Sequence, residues 1–593
     1  MIDKLTQLTK NEKIKKGIEK IKTIPKKYFY IAFSILLVFI VGMSVMTVVA
    51  RNELTQIAVE ALPNSLITFT DNNNPVYVTK DVQLMQEFTH NDNTYQIQWK
   101  SNNTKVIDNT GVVIRPNGKN TEVTLTASVK KGMASIDFPY KLTVICGDII
   151  NATEMQSLTA EAIMTDNVLT GVKFDTNSLV INTDIDAALF AEYYINRLNN
   201  NSNIKVSFVH ALPALTGKVF IFKQANQGVK INDTFVNVFV NEKGNPIEIS
   251  LHLEPKEITN DTELVSEKDV ISAFMTYKKL DAKNIYSVEE GYVDGIKVYE
   301  VLYCTNEYEY NMLYLTNAHI QEYKQKDAKD IDIKNNPTTL YQRELQAYNL
   351  ILPNITRGIN IYTNAELDEA LYTQINNNLQ ITYNWYLDNL GWWSIDNKGA
   401  NVQAVCDKAI ETNITGYAFP QPLFFFNHTD GHTKHMGACL DIVAHEYSHA
   451  VCHYIVGSIE KKTPEVFSIT ESYADVFACL IDGDWVMAEG SYVNGTDMRN
   501  IKDCTYKYRD ENWSDTDNHK NGMILSKTAY LMSQKGISNI DVAKIWYHSM
   551  FYGYHNESTF KDVQNNLIRA ATALDYSAKT IEIINESFQE VGI

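Results

Sequence analysis

The strongest constraint on this chain is a short helical pattern that places ionisable groups among apolar residues. In Asp441-Ile442-Val443-Ala444-His445-Glu446-Tyr447-Ser448-His449-Ala450-Val451, His445 and His449 are four residues apart. On a helix they share one face, a turn apart. Two imidazoles so placed can bind one Zn²⁺, and Glu446, next to the first, can reach a water on that metal. The pattern alone also fits an inert helix. Downstream, Glu471-Ser472-Tyr473-Ala474-Asp475 begins 22 residues after His449, within the run FSITESYADVFACLI. Glu471 and Asp475 repeat the same spacing on a second, mostly apolar helix. Carboxylates buried on such a helix are costly unless they find a positive partner. Zinc and a ligand imidazole are such partners. A set of two histidines and one glutamate leaves a fourth position for water, as catalytic zinc sites require. Asp475 would then accept the free N–H of a ligand histidine. The competing reading is an exposed acidic helix face.

Together these segments resemble the thermolysin-family (gluzincin) metalloendopeptidases. DIVAHEYSHAVCHYIVG matches the family's zinc helix nearly throughout, and ESYADVFA matches its second metal helix. HKNGMILSKTAYLM resembles the segment with the family's active-site histidine, here His519, and Met498-Arg499 resembles its substrate-clamping arginine segment. The C-terminal run from VAKIWYHSMFY to INESFQEVGI follows the family's closing helices to the last residue. Upstream, the run from Gln224 through Gly228-Val229-Lys230-Ile231 to Val238-Phe239-Val240-Asn241-Glu242-Lys243-Gly244-Asn245-Pro246 resembles the family's propeptide, followed by a PepSY-like part. The propeptide would act as an intramolecular inhibitor and chaperone.

The resemblance implies zinc on His445, His449 and Glu471, with Asp475 behind them. It implies Glu446 as general base and His519 as donor to the oxyanion. It implies Arg499 as the ligand of a substrate carbonyl, and Ala418 in the substrate edge segment. Ile442 and Met498 would shape an apolar pocket for the residue after the scissile bond. It also implies one structural Ca²⁺, on Asp441, Asp482, Asp484 and Glu489; Val486 replaces an expected glutamate, so one site is expected rather than two. Three positions depart from the family pattern. Glu460 stands where a tyrosine usually donates to the oxyanion, Tyr417 stands for an asparagine, and Asp515 and Asp517 both compete to be the aspartate before His519.

A second constraint lies at the N-terminus. Tyr28 to Ala50 is a run of 23 residues without a charge. At 1.5 Å per residue it reaches about 34 Å, enough for a bilayer core of about 30 Å. Residues 1–27 hold nine lysines against Asp3, Glu12 and Glu19. Such a basic flank stays in the cytoplasm and sends the rest of the chain outside. An uncleaved anchor is the expectation, because the run exceeds the usual signal-peptide core; Val48-Val49-Ala50 as a cleavage site is the rival. Residues 63–147 alternate with a period of two between Asn/Gly turns, and resemble bacterial immunoglobulin-like domains.

The expected fold is therefore multidomain: a basic cytoplasmic segment (1–27), a single transmembrane helix (28–50), a β-sandwich Ig-like domain (63–147), an α+β propeptide (152–335), and a two-lobed thermolysin-like catalytic domain of α+β and all-α lobes (345–593). A charge of −18 argues against nucleic-acid binding. Seven cysteines do not make a disulfide scaffold, though Cys406 and Cys439 could pair. The expected activity is hydrolysis of protein or peptide substrates at the cell surface, with release of the peptidase after processing as a further step. The alternative is a surface adhesion or binding protein with a decayed peptidase domain.

Overall fold

The computed structural model describes residues 66–69, 78–90, 93–116, 120–131, 134–145, 152–199, 204–254, 266–278, 285–306, 309–316, 359–363, 369–407, 415–418, 423–427, 435–457 and 463–593, with minor exceptions at single positions. The basic segment 1–27 and the apolar run 28–50 lie outside the described residues. Among the described residues, no helix is long and apolar enough to cross a membrane.

The described residues divide into two compact units, one of residues 85–100 and 126–139, the other of those in 66–84, 101–125 and 140–593. Before residue 150 the strands are β1 (Ile67–Phe69), β2 (Val82–Leu84), β3 (Glu87–His90), β4 (Asn93–Ser101), β5 (Thr121–Lys131) and β6 (Ala134–Val144). In the second unit β1 and β2 form an antiparallel ribbon. In the first, β3 pairs antiparallel with β4, which sets Phe88 opposite Tyr95 with their rings stacked at 5.2 Å. These alternating strands are the elements that the period-two pattern of residues 63–147 predicts.

Residues 152–252 build α1 (Ala152–Ser157), β7 (Ala160–Thr165), β8 (Val168–Phe174), α2 (Asp184–Leu198), β9 (Lys205–Ala214), β10 (Gly217–Asn226), β11 (Val229–Lys230), β12 (Phe235–Asn241) and β13 (Pro246–His252). Seven strands make one sheet in the order β11-β10-β12-β13-β8-β7, with β9 on β10. Side chains alternate across a strand, so the two faces can be read separately. Phe220, Phe222, Val236, Val238 and Val240 pack under Phe190 and Tyr194 of α2. Val219, Ile221 and Phe239 point the other way and join the core of the C-terminal helices. A sheet covered on both faces reads as a continuous apolar run, which is why Val219-Phe220-Ile221-Phe222 has no polar alternation. Gly244, at φ +85°, closes the β12–β13 hairpin in a conformation that L side chains rarely adopt. Next come α3 (Glu267–Lys278) and a three-stranded antiparallel meander of β14 (Ile285–Val293), β15 (Ile296–Asn306) and β16 (Glu309–Leu315). Val270 and Phe274 of α3 pack on Val301 and Tyr303 of that meander.

The C-terminal region opens with β17 (Ile359–Thr363), α4 (Glu369–Leu390), β18 (Val402–Asp407), β19 (Gly416–Ala418) and β20 (Leu423–Asn427). These strands form a sheet in the order β17-β18-β20-β19, parallel except for β19, which pairs antiparallel with β20 and ends the sheet. Helices α5 (Leu440–Val456), α6 (Pro464–Asp482), α7 (Asn518–Gln534), α8 (Asn539–Met550), α9 (Phe560–Ala573) and α10 (Ala578–Glu590) follow, with a short hairpin of β21 (Val486–Met487) and β22 (Arg499–Asn500) between α6 and α7. Their ends follow elementary chemistry. Thr463 caps α6 by accepting from the Val466 N–H, Pro464 sits in its first turn where no N–H partner is lost, and Gly483 ends it in the left-handed region. Thr559 and Asp562 form a reciprocal capping box on α9. Tyr386, Tyr447, Phe477, Trp546 and Tyr547 lie in one core that unites α4, α5, α6 and α8.

Candidate metal centre

Helix α5 carries the first pair of predicted ligands to the centre of this core. His445 is 3% exposed and Glu446 8% exposed, so both side chains enter the molecule. Helix α6 packs along α5 and brings Glu471 and Asp475 to the same place. The Nε2 atoms of His445 and His449 are 3.1 Å apart. Oε2 of Glu471 lies 3.2 Å from the first and 3.4 Å from the second. Ligand atoms bound to one tetrahedral zinc at 2.0–2.1 Å stand about 3.3–3.4 Å from each other. The three predicted ligands therefore already have the spacing of a zinc site. Two ring nitrogens facing each other at this range need a cation or a proton between them, which the donor set alone does not supply.

Behind the ligands, Asp475 is fully buried and organises the site. Nδ1 of His445 lies 2.8 Å from its Oδ1, so the ring can give its Nδ1–H to Asp475 and turn Nε2 toward a metal. The same Oδ1 accepts from Nη2 of Arg499 at 2.8 Å. Burial opposes charge on each of these groups, and their partners override it. Asp475 stays below the usual carboxylate range because Arg499 and His445 face it. Glu471 is held well below that range by His449, His445 and His519. Burial disfavours a charged His445, yet hydrogen bonds to Asp475 and Glu471 push it up to about 10. On His445 the proton so retained places positive charge beside the two carboxylates.

His519 reaches the site from the first turn of α7, with Nδ1 3.1 Å from Oε2 of Glu471 and its side chain half exposed. Nη1 of Arg499 lies 3.3 Å from the same ring nitrogen. Of the two aspartates that precede His519, Asp517 serves as the N-cap of α7, accepting from the Lys520 N–H. Glu446, His445, His449, Glu471 and His519 line one cavity of about 410 Å³. Gly416 and Tyr417 of the edge strand β19 form part of its wall. Ala418 is the last residue of that strand, paired with Leu423.

The structure places the remaining predicted residues differently. Ile442 is buried in the core, and Met498 packs against that core, with its N–H donating to the Met487 carbonyl at 3.0 Å. Neither lines the cavity, and Arg499 approaches the site through Asp475 and His519. Cys479 and Cys504 are free thiols; the side chain of Cys406, and with it the candidate pair with Cys439, lies outside the described residues. Glu460 lies outside the described residues. Sequence reasoning missed Cys452, Phe467 and Tyr554, all of which line the cavity. Cys452 was legible, since it lies one turn beyond His449 on the same helix; Tyr554 arrives from beyond α8 and leaves no local signal.

A second acidic group sits at the end of α6. Ligand oxygens of Asp482, Asp484 and Glu489 lie within 4.8 Å of one another. Asp482 is pushed up to about 6 by burial and by the charges of Asp441 and Asp484. Glu489 is pushed up to about 7 by burial and by Asp484. Asp441 itself is buried, its Oδ1 accepting from the Ile442 N–H at 2.8 Å and its Oδ2 from the Ala488 N–H.

Comparison with known proteins agrees with this geometry. The model of the thermolysin metallopeptidase catalytic domain matches residues 304–453, that of the thermolysin metallopeptidase alpha-helical domain matches 466–593, and that of the atrophied bacterial Ig domain matches 59–146. Bacillolysin of Brevibacillus brevis is 26% identical over 237 residues, covering 36% of this chain and 44% of its own length. Neutral protease B of Bacillus subtilis (strain 168) is 24% identical over 295 residues, 46% of this chain and 53% of its own length. Thermostable neutral protease NprT of Geobacillus stearothermophilus is 30% identical over 183 residues, 26% of this chain and 33% of its own. The chain thus spans about half, or less, of the length of the curated relatives it matches. With a match to an Ig-like domain ahead of it, the C-terminal part of this chain is similar to the thermolysin metallopeptidases.

Proposed function

We propose that the chain is a zinc-dependent endopeptidase made as a membrane-anchored zymogen. The observation that carries this reading is the triangle of ligand atoms from His445, His449 and Glu471, with sides of 3.1–3.4 Å, on a cavity that Glu446 also lines. Zn²⁺ bound there would supply Lewis acidity, which lowers the pKa of a water and polarises a carbonyl. Asp475 holds His445 in the tautomer a ligand needs. Glu446 takes the proton from the attacking water and hands it to the leaving amine. His519 donates to the developing oxyanion. Arg499, held in place by Asp475, binds the carbonyl of the residue after the scissile bond. The edge strand β19, including Ala418, offers an extended peptide an antiparallel partner. Protein and peptide substrates follow from that set, and the relatives named as neutral proteases support the same class.

Finer parts of the proposal rest on the sequence. The apolar run 28–50 anchors the chain, with the peptidase outside the cell. Residues 152–335 act as the propeptide. An apolar residue is favoured after the scissile bond, the preference that the family resemblance assigns to Ile442 and Met498, although neither lines the cavity itself. One Ca²⁺ sits on Asp441, Asp482, Asp484 and Glu489, because oxygens so crowded favour a hard cation. The second reading, a binding protein with an inactive peptidase domain, is favoured by the Ig-like domain and by Glu460 in place of a donor tyrosine.

Four outcomes test these proposals. Glu446→Gln should keep one zinc per chain and lose about 10²–10⁴-fold or more in turnover, with wild-type protein cutting a peptide library ahead of Leu or Phe. Turnover in the zinc-loaded variant would defeat the assignment of the base, and a preference for acidic residues would defeat the pocket. Asp475→Asn should weaken zinc binding about 10–100-fold in competition with a chelator, because the ligand ring loses its charged acceptor. Added Ca²⁺ should raise the melting temperature of the wild type and not that of Asp482→Asn; equal shifts would refute the calcium site. In fractionated cells, antibodies to residues 63–147 should detect a membrane species, while those to the C-terminal region detect a released one. A single full-length membrane band in active cells would mean that the peptidase works tethered.

A further inference from the structure

The face of the seven-stranded sheet opposite α2 is seated on the end of α8 and the start of α9. Nδ2–H of Asn237 donates to the Phe551 carbonyl at 2.8 Å, and the Ser250 hydroxyl donates to the Tyr552 carbonyl at 2.8 Å. Arg569 clamps Glu248, with Nη2 2.6 Å from Oε1. The Asn556 N–H donates to Oδ1 of Asp233 at 2.8 Å. At the edge of this junction, the ring of His252 from the sheet lies flat on that of His555 from the helical region, with centroids 3.7 Å apart and planes 3° from parallel. A third imidazole, His548, is fully buried close by, 6.0 Å from the ring of Phe239, with no hydrogen bond to either ring nitrogen.

Asp233, His252 and His555 have the composition of a metal site but not its geometry. The lone pairs of an imidazole lie in the ring plane, so two stacked parallel rings cannot aim theirs at one ion. Nδ1 of His555 already accepts from the Glu557 N–H at 3.3 Å, and Asp233 is engaged by Asn556. What the stack does require is that both rings stay neutral, since two imidazolium ions at this separation, largely shut off from water, repel strongly.

We propose that this histidine junction is an acid-released latch, which holds residues 205–252 on the helical region near neutral pH and lets them undock when the medium is acidified. The inference rests on the reading of residues 152–335 as a propeptide that has to leave the peptidase. Facing the stack from the sheet are Asp233, Glu248, Glu254 and Lys223; from the helical region they are Glu557, Asp562 and Arg569. Burial and the neighbouring His555 push His252 down to about 3, against the opposing pull of Glu557 and Asp562. Burial pushes His555 down to about 4 and His548 to about 3. A histidine freed from the junction returns to an ordinary pKa near 6.5. The docked state therefore binds fewer protons, so docking is at full strength above that value and weakens as the pH falls from about 6.5 toward 4. Asp233 acts in the opposite sense: burial raises it to about 6, so its protonation favours docking over part of the same window. At pH 5, His252 and His555 each weaken docking roughly 30-fold and Asp233 restores roughly tenfold, a net loss of roughly a hundredfold before His548 is counted.

The test uses the full-length chain in detergent with Glu446→Gln, which removes self-cleavage. Amide hydrogen exchange, corrected for its intrinsic pH dependence, should show the opening equilibrium of residues 235–252 and 551–566 rising roughly a hundredfold from pH 7.5 to pH 5, while residues 184–198 of α2 stay protected. Exchange at the imidazole C2 positions of the same protein should place the titration of His252 and His555 below pH 5. The double variant His252→Phe/His555→Phe should lose most of the pH dependence. Equal protection at both pH values, an imidazole titration near 6.5, or an equal loss of protection in α2 would overturn the latch; the imidazole measurement decides even if the double variant does not fold. No readout involves peptide cleavage, so failure of the latch and failure of the peptidase reading are told apart.

Discussion

One buried carboxylate ties the C-terminal region together. Asp475 has no contact with water, yet it accepts from His445 on α5 and from Arg499 on β22 through a single oxygen. Glu471, one turn earlier, faces imidazoles from α5 and α7. Three elements distant in sequence are thus fixed against α6 by charge rather than by shape alone. Such pairs contribute little net stability when complete, but removing one partner strands the other in a medium that solvates it poorly. The cost of breaking the set holds the helices in register, and that register brings three ligand atoms to the spacing a tetrahedral ion needs.

A different economy governs the seven-stranded sheet. Its two faces serve two cores, Phe220 and Phe222 under α2, Val219 and Ile221 against the C-terminal helices. Part of the core of the helical region is therefore made by residues from far upstream, with Phe239 stacked on Tyr552 at 4.7 Å. The same contact buries His548 and half-buries His252 and His555, and makes their neutrality a condition of docking. Apolar packing and proton affinity are coupled here because burial strengthens one while suppressing the other.

What was legible in the sequence was short-range. His445, His449, Glu471 and Asp475 were found by helical spacing, since residues four apart share a face whatever else the chain does. The strands of residues 63–147 were legible from their period. Asp517 was one of two candidates for the aspartate before His519, and in the structure it caps α7. Ile442 and Met498 were read as pocket walls; the structure has Ile442 in the core and Met498 packed against it, with neither on the cavity itself.

By itself, the sequence determined the chemistry that any fold of this chain must accommodate: two imidazoles and two carboxylates on apolar helices, which have to meet around positive charge because burying them unpaired is too costly. It also determined where helices and strands begin and end, since capping and alternation act over a few residues. Only the tertiary structure decided which partners they met. The pairing of Asp475 with Arg499 spans 24 residues, and that of Ser250 with Tyr552 spans 302. Contacts of such span carry no periodic signal. They are fixed by the packing of whole layers, so the cavity wall from Tyr554 and the stack of His252 on His555 exist only once the sheet and the helices have closed on each other.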